Sequence, residues 1–210
     1  MKRKNMTKFD KAVSAAFTGH RFYNFSQQEV IRERLTKAIL EAYEHGISNF
    51  ISGFAIGIDL MAAQIVQSLK PSCPGMTLTA AIPFRGQADR FKPSDRMVYD
   101  GLVASADEVI ILSEYYYTRC FLDRDEFMVE NASLLIAFYD GREKGGTYYT
   151  FKKANCLGIP VVNILNNSLN IKLMNEFVDI IVIYIVLRAI IAFLGAWWHG
   201  DERNDFRRDR

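Results

Sequence analysis

Ser52-Gly53-Phe54-Ala55-Ile56-Gly57-Ile58-Asp59 is the stretch that decides how this chain is read, because it joins a short apolar run, Phe50-Ile51, to a segment of helical spacing. A glycine-bearing turn between strand and helix lets backbone approach a ligand closely, since glycine has no Cβ and adopts positive φ. The N–H groups at the start of the helix then point at an arriving anion. The spacing is neither the dinucleotide G-x-G-x-x-G nor the P-loop G-x-x-x-x-G-K-[ST]. By itself the turn names no ligand.

Working outward, the same strand–loop–helix unit repeats. Upstream, residues 12–17 form a small apolar run ending in Thr18-Gly19-His20-Arg21, a buried strand and its loop. Ser26 and Glu29 predict a capping box, and Ile31, Leu35, Ala38, Ile39 and Ala42 recur at the helical period until Gly46. Downstream, the helix after Asp59 stops before Pro71, and Cys73-Pro74-Gly75 turns the chain. Residues 77–82 read as a third strand ending at Pro83-Phe84-Arg85-Gly86-Gln87, followed by a helix capped by Ser94. A fourth strand spans 108–112, then Tyr115-Tyr116-Tyr117 and a helix over 122–131. A fifth strand spans 134–139, Gly145-Gly146-Thr147 opens a helix running to Cys156, and 161–165 is a sixth strand.

Six short apolar strands alternating with amphipathic helices predict an α/β fold with a mainly parallel sheet and helices on both faces. Its crossovers are expected to be right-handed. In such sheets ligands bind outside the carboxyl ends of the strands. The loops bearing Gly19, His20 and Arg21, Ser52 to Asp59, Pro83 to Gln87, and Gly145 to Thr147 all follow strands, which predicts one crevice.

Composition narrows the classes. The chain has 210 residues, half of them hydrophobic, which fits one domain with an appendage. A net charge of +2 gives no strong field for nucleic acid, and Lys2, Arg3, Lys4 and Lys8 read as a solvated basic tail over residues 1–11. Cys73, Cys120 and Cys156 are far apart and odd in number, as expected of a reducing, cytoplasmic setting. His20, His45 and His199 are equally dispersed, so no metal site is expected. The N-terminus lacks the apolar region of a secretory signal.

Five motifs, in order on strand ends, carry a resemblance: Thr18-Gly19-His20-Arg21, Ser52-Gly53-x-Ala55-x-Gly57-x-Asp59, Ile82-Pro83-Phe84, Arg124-x-x-x-Met128 and Gly145-Gly146-Thr147. Over roughly residues 12–165 the chain resembles the YpsA-like family of bacterial proteins. That family lies in the SLOG superfamily, alongside the DNA-processing protein A family and the LOG phosphoribohydrolases. The resemblance implies a Rossmann-like domain over residues 12–166 that binds a nucleotide or nucleotide-derived ligand, with phosphate at the Gly-Gly-Thr turn. LOG enzymes cleave an N-glycosidic bond with an arginine, matched by Arg124, and a glutamate, whose position holds Thr150. Oxocarbenium-like charge calls for a carboxylate. Its absence implies non-catalytic binding or sensing, with no catalytic residue and no cofactor beyond the ligand itself. If the protein is an enzyme, Arg124 is the residue; single-stranded DNA binding is the weakest alternative.

The ligand-facing candidates are therefore Gly19, His20, Arg21, Ser52, Gly53, Gly57, Asp59, Pro83, Arg85, Gln87, Arg124, Gly145, Gly146 and Thr147. Each has a plainer role as well. Arg21 pairs with phosphate or is a surface residue; His20 orients its loop. Asp59 contacts a ribose or complements the helix dipole, and Thr147 donates to phosphate or caps its helix. Arg85, Gln87 and Arg90 belong to the third loop. The three tyrosines stack on a base or pack on helices. Arg124 reaches ligand or pairs with Glu126 or Glu130. Phe54 is placed to restrict which ligand enters.

Residues 171–198 predict a hydrophobic helix and residues 199–210 a charged tail. From Phe177 to Trp198 the sequence is apolar on all sides except Asp179 and Arg188, and about twenty such residues span a bilayer. A central arginine costs about 2.5–3.5 kcal/mol of insertion, offset by about 0.3–0.6 kcal/mol for each Ile, Val, Leu or Phe. Arg203, Arg207, Arg208 and Arg210 on the far side oppose the positive-inside tendency. Packing in a homo-oligomer and membrane association both fit this segment.

Overall fold

The computed structural model describes residues 10–21 and 23–165. Six parallel strands form one sheet: β1 (Ser14–Gly19), β2 (Asn49–Ser52), β3 (Thr77–Ile82), β4 (Glu108–Ile111), β5 (Leu134–Phe138) and β6 (Val161–Asn163). Between them run α1 (Gln28–Glu44), α2 (Ile58–Leu69), α3 (Pro93–Ser105), α4 (Cys120–Glu130) and α5 (Gly145–Cys156). The strand order is β4-β3-β2-β1-β5-β6, and every pairing is parallel, so the sheet goes beyond the mainly parallel expectation.

Side-chain alternation along the strands divides the core. Ala15, Phe17, Phe50 and Leu78 pack with α1, α2 and α3, while Ala16, Ile51, Ala81 and Leu135 pack with Met128, Val129 and Ala154 of α4 and α5. Burial on both faces explains why the strands read as unbroken apolar runs. The chain leaves β1 outward through β2, β3 and β4, then returns to β5 on the other side. The order therefore reverses between β1 and β5, and ligands of such folds gather at that reversal.

Several boundaries differ from the sequence expectation. The Ser26–Glu29 capping box does not form; Asn24 accepts the Ser26 N–H through Oδ1, starting a 3₁₀ turn at Phe25–Gln27, and α1 begins one residue later. Pro93, not Ser94, opens α3, since its fixed φ suits the first helical position. β1 begins two residues late because Asp10 caps a 3₁₀ turn at Lys11–Val13 through the Ala12 N–H. β5 stops at Phe138 because the Asn163 side chain takes both the N–H and the carbonyl of Tyr139. Residues 1–9 of the basic tail expected over 1–11, the hydrophobic segment at 171–198 and the tail at 199–210 lie outside the described residues. Among the described residues no helix is long and apolar enough to cross a membrane.

Candidate functional site

The turn after β2 is folded around a buried arginine. Arg124, on α4 and only 5% exposed, donates Nη1 to the Gly53 carbonyl at 2.6 Å and Nε to Asp125 Oδ1 at 2.8 Å. Its Nη1 also lies 3.5 Å from Asp59 Oδ2. Gln87 adds a second bond to the same carbonyl, from Nε2 at 3.0 Å. Glu126 and Glu130 are not its partners; Glu126 instead accepts from the Tyr149 hydroxyl and from Arg119. Only glycine fits at 53, where a Cβ would fall 1.6 Å from Arg124 Nη1.

Burial sets the electrostatics. Loss of hydration pushes the Asp59 carboxyl up to about 6, against the pull of Arg124. Asp125 is raised for the same reason, again with Arg124 opposing. The Asp125 carboxylate faces the first turns of α5: its Oδ2 is 3.3 Å from where a Gly146 Cβ would stand. Thr150 reaches it too, and its hydroxyl lies 2.8 Å from the Gly146 carbonyl. Lys144 precedes α5 without a side-chain cap, and Thr147 is buried inside the helix rather than capping it.

Phe54 holds a left-handed backbone, φ 52°, with its ring fully buried and edge-on to Tyr99 at 6.1 Å. That conformation costs about 1–3 kcal/mol, and burying an aromatic ring returns a similar amount. Phe54 is thus a core residue and does not face a ligand entrance. Ser52 braces the turn by donating its hydroxyl to the Asp59 carbonyl at 2.9 Å. Gly57, φ 97°, brings α2 against the first loop, since a Cβ there would meet the Arg21 carbonyl at 2.6 Å.

At the β1/β5 reversal, His20 Nε2 lies 2.9 Å from Asp140 Oδ1, which brings the two loops side by side. The Arg142 guanidinium beside Asp140, with His20, holds its carboxyl well below the usual range. A cavity of about 620 Å³ opens over the carboxyl ends of β1 to β4. Arg21, Gln87 and Arg90 line it, with Phe84, Tyr116 and Phe121 as an aromatic wall. The Phe84 ring stands edge-on to Tyr116 at 5.5 Å and to Phe121 at 5.9 Å. Arg21 Cζ lies 5.3 Å from the Phe121 centroid, a cation–π contact.

The candidates therefore separate. Arg21 and Gln87 line the cavity, while Gly53, Asp59 and Arg124 are bound to one another in the turn after β2. Pro83 is buried at the end of β3, and Gly19 packs on Ile58. Arg85 turns outward in a forked pair with Glu114 at 2.7 and 2.8 Å. Gly145 and Gly146 are exposed on the other side of the sheet's carboxyl edge. Tyr115 is 82% exposed and outside the cavity lining. Sequence reading missed Phe84, Phe121, Asp140 and the α1 residue Arg32. Phe84 lies within the Ile82-Pro83-Phe84 motif; the others carried no local signal.

An all-parallel, doubly wound sheet with its glycine turns and cavity at one carboxyl edge defines a Rossmann-like domain of the SLOG class. A family model for YpsA, described as the YspA SLOG family, matches residues 15–157. The chain belongs to that family. It is 26% identical over 164 residues to a UPF0398 protein of Bacillus pumilus (strain SAFR-032), covering 73% of this chain and 88% of the relative. It is 27% identical over 132 residues to one from Bacillus cereus (strain B4264), covering 62% and 72%. Among solved structures, DNA processing protein A from Streptococcus pneumoniae superposes with TM-score 0.51 and 20% identity, over 72% of this chain and 50% of that one. The Helicobacter pylori protein of the same name, solved to explain its single-stranded DNA binding mode, gives 0.51 and 15% over 82% and 81%. At these identities the two structures share the fold.

Proposed function

We propose that this domain binds a nucleotide or nucleotide-derived ligand and senses it without transforming it. The observation that carries this reading is the cavity of about 620 Å³ over β1 to β4, with a three-ring wall beside a guanidinium. Aromatic faces stack on bases of any sequence, and a fork of N–H donors suits phosphate. Arg124, the arginine of the LOG-like motif, lies outside the cavity lining and is held by Gly53, Asp59 and Asp125.

Thermal denaturation against a panel of nucleotides, dinucleotides and ADP-ribose derivatives tests it. A ligand at about 100 times its dissociation constant adds about 2.7 kcal/mol, a rise of roughly 5–10 °C for a chain of this size. Phe121→Ala is expected to abolish the rise. A flat response across the panel overturns the reading.

A second reading, nucleotide N-glycosidase activity, has one observation in its favour. Asp125 places a carboxylate beside Thr150, where the LOG resemblance calls for glutamate. Release of free base from nucleoside monophosphates, lost in Asp125→Asn, would establish it. Single-stranded DNA binding belongs to the Helicobacter protein; a net charge of +2 offers little counterion release to drive it here.

A further inference from the structure

We infer that the anionic part of the ligand is held between Arg21 and Arg32. A second cavity, about 290 Å³, adjoins the aromatic one and shares Arg21 and Ile56 with it. Arg21 enters from the loop after β1 and Arg32 from the second turn of α1. Neither guanidinium has a carboxylate within ion-pair distance among the described residues. Gln28, Gln64 and Tyr23 supply further hydrogen-bonding groups, and Gly57 brings the positive end of α2 to the same wall. One acid, Asp95, shares the lining, so cations outnumber it two to one.

At the start of α5 the Asp125 side chain faces Gly146 and Thr150 and is itself paired with Arg124 at 2.8 Å. A ligand with its ring in the aromatic cavity and a phosphate or pyrophosphate in the smaller one spans both through Arg21. The ring half of that description rests on the nucleotide reading. The anion site stands without it.

Pyrophosphate alone is the probe, titrated calorimetrically at low and at physiological salt. Arg32→Gln and Arg21→Gln are each expected to weaken it at least tenfold. Thr147→Val, and Lys37→Gln on the exposed face of α1, are expected to leave it within twofold. Thermal melts check that each variant folds. Unchanged affinity in Arg32→Gln, a loss in Thr147→Val, equal losses in Lys37→Gln, or no binding to the parent protein overturns the site. AMP and ADP are then compared with pyrophosphate. Arg32-dependent pyrophosphate binding with no gain from the nucleoside supports the anion site and removes the nucleotide reading.

Discussion

Arg124 Nη1 donates to the Gly53 carbonyl at 2.6 Å, across a sequence separation of 71 residues. This bond ties α4 to the turn after β2 and fixes a carbonyl that Gln87 also engages. Arg124→Ala leaves two buried carboxyls and a buried carbonyl short of a partner. Breaking a buried pair in this way costs about 3–5 kcal/mol, expected as a fall of roughly 10 °C in Tm. Arg124→Lys is expected to recover only part of the loss, because an ammonium cannot reproduce the fork.

Gly53→Ala tests the same contact from the other side. Its Cβ would stand 1.6 Å from Arg124 Nη1 and 2.6 Å from Asp59 Oδ2, so the guanidinium must leave. Residues sharing one contact are not additive. The double variant Gly53→Ala with Arg124→Ala is expected to be more stable than the sum of the single losses, as read from denaturant melts.

The Asp59 carboxyl, at about 6 when folded against 3.8 for the free group, makes stability depend on pH. The folded state holds this proton more tightly, so the contribution is fully present below about pH 4. It is lost as pH rises toward 6 and does not return above it. A shift of this size corresponds to a ceiling of about 3 kcal/mol. Asp59→Asn keeps an acceptor for the Ala55 N–H but cannot titrate. Melts from pH 4 to pH 7.5 are expected to show the variant gaining on the parent as pH rises.

Phe54→Ala is expected to act on the core and not on ligand choice. The ring is fully buried against Tyr99, and its removal costs about 3–5 kcal/mol. Relative affinities across a nucleotide panel are expected to stay unchanged. A changed preference would return Phe54 to the entrance.

Much of this molecule was legible in its residue pattern. Runs such as Phe50-Ile51 and the spacing from Ile31 to Ala42 declare strands and helices because burial of one stripe or two faces imposes a period. Glycine at 53 and 57 marked backbone that no side chain could share. Local order also placed every candidate loop after a strand, hence on one edge of the sheet. Contacts made through space left no such trace. That Arg124 is held by Gly53, that His20 meets Asp140, and that Asp125 faces the start of α5 depend on strand order. The family motif marked Arg124 and Gly145-Gly146-Thr147 alike; burial gives Arg124 three protein partners, while Gly145 and Gly146 stay exposed. The pairing of Arg21 with Arg32 around one cavity arises only when α1 folds back along β1. Sequence periodicity determines which groups reach the carboxyl edge; packing decides which of them remain free to meet a ligand.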